Sequence, residues 1–369
     1  MNEVEKSKPQ IRTSSNYLPS LDGWRGIAVI AVILNHGNQA LLPNGMGLRF
    51  PIGACGVWLF FAISGILIVS KLSEEKEKFG QLDIKMFYWR RFFRLIPALF
   101  VYLVFCKILS LFGILRISNN EIIACFLFYR NYFSSFQISD AGHYTGHFWS
   151  LSVEWQFYFI IPFLILGFKR NKLLFALPLV ALLIEIWRAI ESRYDVTKQL
   201  FPTLIFDVGR TDLCLDYLLW GAWFGLLIAS NHGRNLLARF LSLDYIQYIL
   251  FISLVVVTAA PIPSKETLFG IITPCLLIST ILRYQNILGK ALENPLLKWI
   301  GKISYSLYIW QQLFLIQRGS SDPLALPPLL WFQNFPLGIP CTILFGVLSY
   351  YFIENPTRKL GYKLLKLRK

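Results

Sequence analysis

Charge is scarce in this sequence. Only 15% of its 369 residues are Asp, Glu, Lys or Arg, whereas a soluble globular chain carries roughly a quarter. A chain of this length with so few charges cannot coat a water-facing surface. Cysteine chemistry is thin too. Cys55, Cys106, Cys125, Cys214, Cys275 and Cys341 are scattered and form no C-x-x-C pair, which points away from a zinc site or a disulfide framework. There is no internal repeat, low-complexity tract or flexible linker. The first 20 residues are polar, with Lys6, Lys8 and Arg12 but no apolar run, so a cleaved signal peptide is not expected there.

Apolar residues are abundant instead, at 55%, with 16% aromatic. A helix crossing the roughly 30 Å hydrocarbon core needs about 20 largely apolar residues, because each advances 1.5 Å. Such stretches occur near 24–42, 53–71, 95–115, 148–168, 173–190, 212–230, 243–260, 266–283, 303–317 and 329–352. The expectation is an all-α, polytopic transmembrane bundle of ten spanning helices. Stretch 121–136 is short and interrupted by Arg130 and Asn131, and reads as interfacial. With ten crossings, one side of the membrane collects 26 Lys and Arg and the other nine. The positive-inside rule then places both termini in the cytoplasm. Three regions follow: a cytoplasmic segment 1–20, a transmembrane domain 21–354, and a basic tail 355–369 expected on the anionic inner leaflet. The net charge of +15 sits in the short loops between apolar runs, so it marks orientation and does not point to nucleic acid.

Ionisable groups at membrane depth are costly and are functional candidates by default. Arg25 and His36 are 11 residues apart, which is three helical turns plus about 20°, so they share a face at depths about 16 Å apart. An anionic head at Arg25 with a reactive end near His36 fits that face; so does a snorkelling Arg with a core His. Arg91 and Arg94, beside Arg90, are neighbours on one face. They suit bidentate grip on phosphates, or a plain positive-inside anchor. Glu154 lies in an apolar helix with Ser150 and Tyr158 one turn away on either side. It can orient a histidine, act as a base, or hydrogen-bond another helix. His143 and His147 have the spacing of a metal pair but no acidic or cysteine ligands adjacent, and no metal is expected. Arg210 and Asp212 are either acceptor-binding groups or an interfacial ion pair.

Together these segments resemble the acyltransferase-3 family of bacterial membrane proteins along nearly the whole chain. The resemblance is carried by LDGWRGIAVIAVILNH, with Arg25 and His36 in the family's Arg, ten residues, His pattern, and by RRFFR, whose Arg91 and Arg94 fit R-x-x-R. HFWSLSVEWQFYFIIP, GKISYSLYIWQQ and FIENPTRKL are similar to its later blocks. Two positions depart: Trp58 stands where an acidic residue is frequent, and Gln311 where many relatives carry His. The resemblance implies a bacterial inner-membrane enzyme that moves an acyl group, usually acetyl, from cytoplasmic acyl-CoA to a hydroxyl of a glycan or similar acceptor. On that reading Arg90, Arg91 and Arg94 hold the CoA phosphates, with Arg25 at the entrance. His36, oriented by Glu154, acts as base or carries a transient acyl group. Arg210, Asp212, Tyr305 and Gln311 would contact the acceptor. Some relatives carry an extracytoplasmic hydrolase-like domain, which a sequence ending 17 residues after its last expected span is expected to lack. A transporter or flippase is the rival reading, since buried Arg, Glu and His also line translocation paths.

Overall fold

The computed structural model describes residues 18–41, 52–132, 141–201, 209–243, 245–260, 265–315, 327–333 and 336–366. Among them every regular element is helical. In chain order these are α1 (Pro19–Leu41), α2 (Ile52–Phe79), α3 (Ile84–Leu111), α4 (Asn119–Phe126), α5 (Phe148–Gly167), α6 (Arg170–Tyr194), α7 (Val196–Leu200), α8 (Thr211–Cys214) and α9 (Asp216–Ala229). Then follow α10 (Asn231–Leu241), α11 (Ile246–Ala259), α12 (Lys265–Leu282), α13 (Ile287–Leu292), α14 (Pro295–Phe314), α15 (Pro327–Gln333), α16 (Gly338–Ser349) and α17 (Asn355–Lys366). A π-helical turn, Tyr350–Glu354, joins α16 to α17.

Local chemistry starts several of these helices. The Asp83 carboxylate caps α3 by accepting the Met86 N–H at 2.8 Å. Asn294 caps α14, accepting the Leu296 N–H at 2.9 Å, and Pro295 follows at the first turn, where its missing N–H costs nothing. Inside a helix, proline leaves the carbonyl four residues earlier without its donor. That carbonyl needs another partner at membrane depth. Three such carbonyls tie helices together here. Pro178 frees Leu174 O, which accepts the Trp223 indole at 3.0 Å and joins α6 to α9. Pro162 frees Tyr158 O, which lies 3.3 Å from the Tyr88 hydroxyl of α3. Pro97 frees Phe93 O, which lies 3.1 Å from the Thr357 hydroxyl of α17.

Close backbone approach sets the core of the bundle. A Cβ added at Gly301 of α14 would sit 1.8 Å from Asp22 O, so α1 and α14 meet main chain to main chain. The pair α2 and α9 does the same, with Gly65 against Leu218 O at 2.5 Å and Gly221 against Ala62 O at 2.6 Å. Small residues at crossings are how helices pack where no hydrophobic force drives them together. The outer faces are apolar: Phe175, Leu183 and Ile186 on α6 and Ile252, Val255 and Val256 on α11 are all exposed. Exposed side chains of this size in bands suit lipid contact.

Helices occupy all ten expected stretches. Among the described residues, five helices are long and apolar enough to cross a membrane, α2, α3, α5, α6 and α12; counting α10 and α11 as one bent span gives six. The remaining stretches hold helices that are short, such as the 14 residues of α9 and 12 of α16, or polar, such as α1 with Asp22, Arg25 and His36. Stretch 121–136 begins with the eight-residue α4, too short to cross. The boundary at 354/355 falls inside a continuous helical run from α16 through α17, and α17 packs on α3, with Trp89 Nε1 donating to Gly361 O at 3.1 Å. Most of segment 1–20 and the last three residues lie outside the described residues.

Candidate active site

Two chambers meet inside this bundle. The first encloses about 320 Å³ between α1, α2, α3, α5, α14 and α17. Its charge is one-sided: among the described residues Arg25, Lys71, Arg90, Arg91, Arg94 and Arg358 line it, against one carboxylate, Glu154. The Arg91 guanidinium carbon stands 3.8 Å from the Phe87 ring centroid and 4.8 Å from that of Tyr158, so aromatic faces orient the planar fork. The Nε atoms of Arg91 and Arg94 are buried without a hydrogen-bond partner among the described residues. Partly desolvated cations of this kind are favoured by a nearby anionic group. Arg25 has Asp22 at 3.8 Å as a loose partner.

Glu154 is not idle in this chamber. Its Oε1 accepts hydrogen bonds from Ser64 of α2 and from Tyr158 one turn along α5. Tyr305 lines the same chamber, and its hydroxyl donates to Leu95 O at 2.7 Å, fixing α14 against α3 just beyond Arg94.

The second chamber, about 280 Å³, lies at the other end of the α1–α2 pair. Asn35 and His36 of α1, His147, Trp149 and Gln312 form its walls, with Gly53, Gly146 and Gly209 leaving room. Among the described residues its lining carries polar groups but no carboxylate, lysine or arginine. His147 is buried: its Nε2 lies 3.1 Å from Ile309 O, its backbone N–H donates to Gln312 Oε1 at 3.0 Å, and its Nδ1 has no partner among the described residues. The Ile309 carbonyl requires the proton on Nε2, so Nδ1 is an acceptor. Burial, followed by the field of His36, pushes the His147 imidazole down to about 3.

Val57 and Tyr308 line both chambers. The Tyr308 hydroxyl lies 2.7 Å from His147 O and 2.7 Å from Ser150 Oγ, which pins the ring in place as a partition.

Arg25, Arg90, Arg91, Arg94, Glu154 and Tyr305 are therefore brought together, and His36 is placed beyond the partition. The expected orientation of His36 by Glu154 is not what this geometry provides: they line different chambers, and Glu154 is engaged by Ser64 and Tyr158. Arg210 and Asp212 line neither. Arg210 donates to Asp212 Oδ1 at 3.0 Å, Glu191 Oε1 at 3.1 Å and Thr197 Oγ1 at 2.8 Å, while Asp212 also accepts Trp187 Nε1 at 2.8 Å. This is the ion-pair alternative, built as a clasp across α6, α7 and α8. Gln311 is fully buried outside both linings, with neither amide atom partnered among the described residues. Sequence reasoning missed Lys71, Tyr308, Arg358 and Tyr362, and weighed His147 only as a metal ligand.

An acyltransferase-domain family model matches residues 18–351. The chain belongs to the acyltransferase-3 family. Similar members of this family include the peptidoglycan O-acetyltransferase OatA of Listeria monocytogenes, 32% identical over 377 residues, covering 96% of this chain and 58% of the relative. The O-acetyltransferase OatA of Staphylococcus aureus is 30% identical over 379 residues, covering 95% and 58%. This acyltransferase-3 chain thus spans a little under three fifths of the length of those relatives. No solved structure matches it.

Proposed function

We propose that this chain transfers an acetyl group from acyl-CoA, held in the cationic chamber, to a hydroxyl of a glycan acceptor in the neutral one. A single observation carries the reading: among the described residues, six cations and one carboxylate line a chamber that shares a wall with a polar chamber lined by His36 and no charged side chain. The polyanionic coenzyme matches the first chamber, and a sugar hydroxyl matches the second, where Trp149, Asn35 and Gln312 offer an aromatic face and amides. Arg91 and Arg94 take phosphates, Arg25 and Arg90 flank them, and the thioester reaches the partition at Tyr308. His36 accepts the hydroxyl proton as the acceptor oxygen bonds to the acyl carbon. The carbon–sulfur bond breaks, and the coenzyme leaves as a thiol once protonated. Tyr305 braces the donor side, and the Arg210–Asp212 clasp supports the bundle away from the reacting atoms.

The chain is proposed to cross the bacterial inner membrane ten times with both termini in the cytoplasm, the donor chamber facing inward. The ends of the α1–α2 pair support this. Arg25 and Lys71 stand at one end, His36 and Gly53 at the other. The name of the Listeria relative makes peptidoglycan the first acceptor to try. A relative longer than this chain leaves room for a further protein segment or partner between the acyl group and the final acceptor. The deciding experiment supplies labelled acetyl-CoA to purified protein in sealed proteoliposomes, with and without glycan acceptors. Acceptor-dependent release of CoA with label on the acceptor supports the enzyme. Label or glycan crossing the bilayer without CoA release supports the transporter.

A further inference from the structure

The basic C-terminal helix looks, from sequence, like a surface anchor. Its packing gives it a different position. Thr357 and Gly361, four residues apart on one face of α17, meet α3: the Thr357 hydroxyl is 3.1 Å from Phe93 O, and a Cβ added at Gly361 would sit 2.7 Å from the Phe93 side chain. Trp89 Nε1 closes the same contact by donating to Gly361 O at 3.1 Å. Both anchor points on α3 flank the arginine segment. Rotating by one residue, about 100° on a helix, brings up Arg358 and Tyr362, also four apart, and these two line the cationic chamber. Arg358 is half-buried and steadied by Asn355 Oδ1, 3.2 Å from its Nη2; Tyr362 is 51% exposed, at the chamber's rim.

We infer that α17 is the outer half of the donor site, with Arg358 pairing the 3′-phosphate of the coenzyme and Tyr362 stacking on its adenine. This rests on the acyl-CoA reading above. The chemistry divides naturally. Coenzyme A is long, and its pyrophosphate and its 3′-phosphoadenosine need separate cationic contacts. Arg91 and Arg94 are half-buried on α3, with only their Nε atoms enclosed. Arg358 and Tyr362 come from a different helix at the mouth, where a guanidinium can grip one phosphate bidentately and an aromatic face can take a base. The same helix pinned by Gly361 could not shift outward without losing contact with Phe93, so the two halves are held in register.

The test measures equilibrium binding of CoA, dephospho-CoA and pantetheine to the full chain in nanodiscs. Arg358→Ala should weaken CoA binding by roughly tenfold to a hundredfold and leave dephospho-CoA unchanged, so that the two ligands converge in affinity. Arg358→Lys should restore part of the loss. Tyr362→Ala should weaken both nucleotides and spare pantetheine, whereas Tyr362→Phe should behave as wild type. Lys359→Ala, a cation of α17 outside the lining, is the control. Equal weakening for all three ligands would reduce α17 to a brace, and unchanged CoA affinity would return it to the lipid surface; either overturns the inference alone. Failure of the wild type to bind CoA would overturn the donor reading, and this inference with it.

Discussion

The hydroxyl of Tyr308 donates to the backbone carbonyl of His147 at 2.7 Å across 161 residues of sequence, and Ser150 Oγ sits 2.7 Å from the Tyr308 hydroxyl oxygen. A phenol has one proton. Committed to His147 O, it is not available to the reaction, so Tyr308 holds the partition and does not act as an acid. Tyr308→Phe should keep the wall and lose neutral hydrogen bonds, each contributing about 0.5–1.5 kcal/mol. Turnover should fall by no more than about tenfold, with a lower melting temperature. A loss of 10²–10⁴, the scale of a missing acid or base, would place Tyr308 in the chemistry.

His36 carries the proposed proton transfer. His36→Ala and His36→Gln should both abolish acetyl transfer, by roughly 10²–10⁴, while CoA binding stays nearly intact because the phosphates lie in the other chamber. Gln preserves size and hydrogen bonding, so a folded, inactive Gln variant separates chemistry from packing. Near-normal turnover in His36→Gln would make His36 structural and turn attention to Glu154.

Arg91→Ala and Arg94→Ala should each weaken CoA binding by roughly tenfold to a hundredfold, the loss of one charge-assisted phosphate contact. Lysine at either position should rescue only part, since it lacks the planar fork that Phe87 and Tyr158 orient around Arg91. Unchanged affinity in both alanine variants would reduce the segment to an interfacial anchor.

Acid should loosen the fold through His147. Its imidazole, pushed down to about 3 by burial, stays neutral in the folded state over a range where the unfolded chain takes up a proton. The unfolded state then binds more protons, so stability is full above about 6.5 and falls as the pH drops below it, by about 1.4 kcal/mol per unit for one such group. His143, pushed down to about 4, adds in the same direction. Glu121, which burial raises to about 7 despite the opposing field of Arg130, works in the opposite sense between its ordinary value and 7. The informative measurement is therefore a difference. Melting temperatures of wild type and His147→Gln between pH 7 and 5 should show a shallower acid slope in the variant; parallel curves would contradict the assignment.

Much of the cationic chamber was legible in the sequence. Arg25 was readable from its place before an apolar run, and Arg91 with Arg94 from their spacing on one face. What spacing cannot tell is which helices adjoin. His36 and Glu154 looked like partners because both are polar groups at depth, yet the pairing depended on where Tyr308, on a third helix, would stand. Arg358 and Tyr362 were hidden for a different reason. The π-helical turn at Tyr350–Glu354 adds a residue to the helical count, so faces projected from α16 point the wrong way along α17. A signal did exist. Pro97 guarantees that Phe93 O needs an outside donor, and Thr357 with Gly361 four residues on offers a docking face. The prolines at 162 and 178 announced lateral bonds in the same way, though not to whom.

The partition has a further consequence under the proposed topology. Val57 and Tyr308 are the side chains common to both chambers among the described residues, so the wall between donor and acceptor would be thin there. On the proposed reading, an acyl carbon passed across that wall would change compartments by bond exchange alone, with no rocking of one half of the bundle against the other. The same reading makes the seal depend on two side chains: trimming both Val57 and Tyr308 to alanine should raise proton and small-ion leakage through proteoliposomes above that of the wild type.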